Sequence, residues 1–124
     1  MLLDAHRTLG WAAIYANAAA GVWMLVAWRV GTVRGLRWRW WPVIGAEAVM
    51  MVQVVLGVLL VSAEDFAPPR FHMFYGFVAF ITVGLLYSYR YVWKARGWME
   101  LAYGLGGLFL MGLGIRAVLQ VTAA

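Results

Sequence analysis

The polar residues of this chain are gathered into short clusters, and between them run four stretches that are almost free of charge. These are roughly Leu9–Val30, Pro42–Val61, Phe71–Val92 and Trp98–Leu119. Each has about 20 residues, the length a helix needs to cross the hydrocarbon core of a bilayer. Strict two-residue alternation is missing from all of them, which excludes a transmembrane barrel. Gly31–Gly35, Glu64–Arg70 and Lys94–Gly97 separate them. Connections this short permit only sequential antiparallel neighbours. The predicted fold is an all-α, up-down bundle of four transmembrane helices, with residues 1–124 forming a single domain.

Composition and charge sharpen that picture. Hydrophobic residues make up 65% of the chain and charged ones 12%, too apolar a balance for an ordinary soluble domain. The net charge of +5 does not point to nucleic acid, because the basic residues sit in short connections between apolar spans. Arg29, Arg34, Arg37 and Arg39 flank the first connection, and Arg90, Lys94 and Arg96 the third. The positive-inside rule assigns both to the cytoplasmic side, so both termini are expected outside. Trp38, Trp40, Trp41, Trp93 and Trp98 mark the inner interface. Asp4 and His6 precede the first span and no cleavage site follows it, so that span is expected to stay in the membrane. The reading is a multi-pass protein of a bacterial plasma membrane, in contact with lipid. The absence of cysteine excludes disulfides, thiolate chemistry, iron–sulfur clusters and covalent haem attachment.

Two histidines occupy equivalent places. His6 and Gly10 form one H-x-x-x-G and His72 and Gly76 another, each opening a span on the outer side. The first and third helices run parallel and lie diagonally across an up-down bundle. Helical periodicity puts His6, Gly10, Ala13, Asn17 and Gly21 on one broad face, and His72, Gly76, Ala79 and Val83 on another. Two facing imidazoles with small residues one turn deeper suit a flat metal cofactor, and the expected ligand is haem b with His6 and His72 as axial metal ligands. Copper or zinc is the weaker alternative, because no cysteine or carboxylate cluster completes a site. Arg7, Arg70 and Arg116 fall at the same outer level, where guanidinium forks suit the haem propionates or, equally, lipid phosphates.

The succession His6-Arg7, then Gln53-x-x-Leu56-Gly57, then His72 resembles one four-helix half of the haem A synthase family and, less specifically, other membrane b-type cytochromes. The resemblance covers about residues 4–90. It implies that His6 and His72 hold haem toward the outer side, with Arg7 following the first ligand and Gln53 and Gly57 on the helix between them. The chain departs from that family in having one half rather than two. It carries Leu3 where a glutamate commonly precedes the first histidine, and it lacks the outer-loop cysteines. Those departures argue against haem A synthesis. They favour a single b-haem unit or a homodimeric relative serving electron transfer, with an outer-face partner or a quinone.

Other polar positions carry structural expectations. Asn17 and Gln53 lie deep enough to bond to each other across helices. Glu47 is expected to pair with Arg37 or Arg39, and Glu100 with Lys94 or Arg96. Gly104, Gly107 and Gly114 line one side of the fourth helix and allow close packing, within the bundle or against another protein. That stripe motivates the alternative function, a cofactor-free structural or assembly subunit of a larger membrane complex. A small transporter is disfavoured because four spans show no inverted repeat.

Overall fold

The computed structural model describes residues 1–122. Four long helices carry the fold: α1 (Leu2–Arg29), α2 (Trp41–Ala63), α3 (Arg70–Ser88) and α4 (Met99–Thr122). No strand occurs among the described residues, and each long helix is long and apolar enough to cross a membrane. The chain is therefore a multi-pass, all-α four-helix bundle, as its apolar spacing predicts.

The helix limits differ from the apolar spans in instructive ways. α1 begins seven residues before Leu9, with Asp4 in its first turn, where a carboxylate favours the positive end of the helix dipole. His6 is thereby a helical residue with a fixed direction. Val30 turns extended and ends α1. The first connection is not irregular: it contains a helical turn, Gly31–Arg34, and a 3₁₀ turn, Arg37–Trp40. Pro42 sits in the first turn of α2, where its missing N–H costs nothing. The third span is not continuous. Tyr89 interrupts it, and a short helix, Arg90–Ala95, follows. Arg90 donates to the Tyr87 carbonyl, which an unbroken helix would offer to the backbone at Tyr91. Gly97, at φ +72, makes the last turn into α4.

Packing is uneven around the bundle. α1 lies most intimately against α4 and next against α2, α4 also holds α3, and the seam between α2 and α3 is sparse. The closest approach is made by glycines. A Cβ at Gly107 would lie 2.9 Å from the Asn17 backbone oxygen and 2.9 Å from the Gly21 Cα, and one at Gly21 would lie 2.9 Å from the Gly104 oxygen. Gly114 makes room for Ile14. The α4 stripe is thus filled by α1 inside the bundle, and offers no face to another protein. Met24, Leu110 and Asn17 are the largest fully buried side chains. Outward positions are apolar instead, including Phe71, Phe74 and Phe77 of α3 and Val52, Val55 and Val58 of α2. This is the arrangement expected where hydrocarbon is the solvent.

Three of the anticipated polar pairings are different in the structure. Asn17 does not meet Gln53. Its Nδ2 donates to Ala13 O at 2.8 Å and to Ala46 O at 3.2 Å, tying α1 to α2. Gln53 reaches one turn beyond, to His6. Glu100 pairs with Arg39 at 3.0 Å, rather than with Lys94 or Arg96. Arg39 is therefore not the partner of Glu47, which has no ion pair among the described residues. The 3₁₀ turn carries Arg39 inward, where its backbone oxygen also accepts from Trp23 Nε1 at 2.9 Å. Glu100 is 8% exposed and Arg39 half-buried, so water screens this pair only in part. Glu100→Gln is expected to cost about 3 kcal/mol by stranding the guanidinium, whereas Arg39→Met with Glu100→Leu costs less than the sum of the single changes. Thermal unfolding of the purified variants measures both.

Candidate functional site

The two histidines meet. α1 and α3 stand diagonally, and both rings enter the space between them at the same end of the bundle. Their centroids are 6.0 Å apart with the planes at 75°. Two metal–imidazole bonds of about 2 Å each, lengthened by the two ring radii, place opposed ligands roughly 6 Å apart from centroid to centroid. The pair therefore has the separation of two axial ligands.

Each histidine is held by a different neighbour. His72 Nδ1 lies 2.8 Å from Ala117 O on α4. A carbonyl only accepts, so Nδ1 carries the hydrogen, and in the neutral ring the lone pair is then on Nε2. A backbone carbonyl behind the distal ring nitrogen is the usual support of a metal-binding imidazole: it fixes the tautomer and raises ligand basicity. His6 is fixed through its main chain, because Gln53 Nε2 donates to His6 O at 2.6 Å. Its ring lies over Gly57, where a Cβ would come within 3.2 Å of His6 Cε1. His6 Nδ1 is buried without a hydrogen-bond partner, as is Gln53 Oε1. Buried polar atoms are nearly always paired, so both are unmet polar requirements at this end of the bundle.

The remaining predicted site residues fall as follows. Gly10 leaves room for the Gln53 amide, since a Cβ there would lie 2.9 Å from Nε2. Gly76 faces open space, with no atom within 4 Å of a Cβ built on it. Arg7, Arg70 and Arg116 are all exposed, and none of them contacts a carboxylate among the described residues. Arg116 adjoins Ala117, the residue that orients His72. Sequence reasoning missed Ala117, because a backbone acceptor leaves no mark on side-chain pattern.

The ligand set is narrow. Among the described residues no three of His, Cys, Asp and Glu gather into a group able to hold a metal ion. A bare zinc or copper ion would find only two protein ligands here, too few for a protein-built site. A porphyrin brings its own equatorial nitrogens and asks the protein for axial ligands alone, so two imidazoles with a glycine beside one of them fit haem better than a free ion. Comparison of the chain with protein-family models, with curated proteins and with solved structures gives no match. What the fold and site define is a class, a four-helix membrane bundle with a diagonal histidine pair at one end.

Proposed function

We propose that this protein is a small membrane b-type cytochrome in which His6 and His72 are the axial ligands of one haem b, serving one-electron transfer. The observation that carries this reading is the histidine pair, 6.0 Å between centroids, with Nδ1 of one ring held by a backbone carbonyl. Bound haem would supply a one-electron couple whose potential the protein sets through ligands, hydrogen bonds and burial. The protein's own part is positional. The Ala117 carbonyl fixes the orientation of the His72 ring, Gln53 anchors the backbone of His6, and Gly57 gives the His6 ring its place. If both histidines held the haem iron, the protein would leave it no open position for oxygen, a state suited to electron transfer. Arg7, Arg70 and Arg116, exposed at the histidine end, are the cations available to the propionates.

The positive-inside rule puts the arginine-rich end in the cytoplasm and the histidines toward the extracytoplasmic face of a bacterial plasma membrane. Electrons would then pass to or from an outer-face partner or a quinone in that leaflet. The alternative of a cofactor-free assembly subunit loses its main motivation, because the glycine stripe of α4 is covered by α1.

Gly57→Val tests the supporting shell without touching a ligand. Its branched side chain collides with the His6 ring, so haem occupancy is expected to fall about tenfold while helix content by circular dichroism is unchanged. Unaltered occupancy would remove Gly57 from the site.

A further inference from the structure

At the opposite end of the bundle lies a hollow of about 520 Å3, lined by Arg34, Arg39, Arg90 and Lys94 together with Trp40, Tyr91 and Glu100. The positive-inside rule explains why cations collect at this end, but not why four of them from three segments wall one concavity. Arg34 comes from the turn after α1, Arg39 from the 3₁₀ turn, and Arg90 and Lys94 from the short helix after α3. Several are held in place. Arg34 donates to Trp28 O at 3.1 Å, and Arg90 donates to Tyr87 O with its guanidinium 4.4 Å from the Tyr91 ring centre. Among the described residues the one carboxylate in the wall is Glu100, and it is engaged by Arg39 Nη2. Arg39 Nη1 bonds to Leu36 O, yet its Nε is a buried donor with no acceptor. The hollow thus has excess positive charge, fixed donors and aromatic walls, at the depth where the tryptophan belt marks the headgroup region.

We propose that this hollow is a specific binding site for a phosphate-bearing anion, with the phosphodiester of an anionic phospholipid and free phosphate as the two sources of that chemistry. Guanidinium forks match phosphate oxygens. Basic pockets between membrane helices on the cytoplasmic side hold anionic headgroups by the same physics. The volume accommodates a lipid headgroup as well as a free phosphate. This inference does not depend on the haem site.

The test uses the full chain, purified in neutral detergent and titrated by native mass spectrometry. The probes are phosphatidylglycerol, phosphatidylcholine of the same acyl chains, and inorganic phosphate. The variant Arg34→Gln/Arg90→Gln/Lys94→Gln removes three cations from the hollow, leaving Arg39 to its pair with Glu100. The control Arg29→Gln/Arg37→Gln/Arg96→Gln removes the same charge from exposed positions outside it. Wild type is expected to retain phosphatidylglycerol over phosphatidylcholine. The hollow variant is expected to lose that retention by roughly tenfold or more, and the control by less than about twofold. Displacement of the lipid by millimolar inorganic phosphate identifies free phosphate as a sufficient ligand. Failure of phosphate to displace it assigns the site to the lipid headgroup, and either result supports the site. Equal losses in both variants would reduce the hollow to diffuse surface charge and overturn the proposal. So would the absence of preference for phosphatidylglycerol in wild type when phosphate also fails to bind. A hollow variant that elutes as aggregate is replaced by the single change Arg90→Gln, read against Arg96→Gln in the same way.

Discussion

Replacing His72 by alanine is expected to lower bound haem to below roughly a tenth of the wild-type content, and His6→Ala to do the same, because a six-coordinate haem that loses one protein ligand keeps neither its spin state nor its hold. The two changes differ in their side effects. His72 gives up its bond to Ala117 O, the side-chain tie from α3 to α4 at this end. His6 keeps its backbone bond from Gln53 whatever its side chain. His6→Ala should therefore leave thermal stability of the haem-free protein almost unchanged, and His72→Ala should lower it by about 1 kcal/mol. Added imidazole is expected to restore a low-spin spectrum to either variant by occupying the cleared position. Restoration separates a missing ligand from a damaged fold. Full haem content in His6→Ala would remove His6 from the ligand set.

Gly107→Leu is expected to have the largest effect on the fold itself. A single methyl at this position already lies 2.9 Å from the backbone of both Asn17 and Gly21, and backbone atoms in the middle of α1 have nowhere to retreat. Gly107→Ala should cost about 2 kcal/mol, and leucine should prevent α1 and α4 from closing at all. The readout is recovery as a monodisperse peak on gel filtration. Gly112 provides the control, because a Cβ there meets nothing within 4 Å. Gly112→Leu exchanges a poor helix former for a good one at an open position and should be neutral or slightly stabilising. Equal behaviour of the two leucine variants would refute the close helix contact.

These two results rest on features that were legible in the chain to different degrees. The four spans follow from apolar length alone, since hydrocarbon leaves a backbone no alternative to helix. The face shared by His6, Ala13, Asn17 and Gly21 also follows from periodicity, and the structure turns that face inward. The diagonal meeting of His6 and His72 follows from topology once both open their helices at the same end. The polar pairs did not follow. Asn17 and Gln53 match in depth along the sequence, but a short asparagine is satisfied by the carbonyls of Ala13 and Ala46, which no side-chain pattern displays. Gln53, with one more methylene, reaches the His6 carbonyl.

The pairing of Arg39 with Glu100 was hidden for another reason. The two residues lie 61 positions apart, and only the 3₁₀ turn Arg37–Trp40, which a reading of loops passes over, swings Arg39 toward α4. The glycine stripe of α4 was readable as a close contact. Its partner was not, because small residues say that something approaches without saying what. The basic hollow was equally out of sight, since its four cations read along the chain as two ordinary positive-inside clusters.

The central claim is that His6 and His72 together hold one b-type haem. The most direct measurement is the haem content and spin state of the wild-type chain, purified from haem-replete cells and read by pyridine haemochrome and low-temperature electron paramagnetic resonance. The account predicts a b-type haemochrome at about one haem per chain, with a low-spin ferric signal of paired imidazole ligands. A chain recovered folded but free of haem, or a high-spin signal unaffected by His72→Ala, would contradict it.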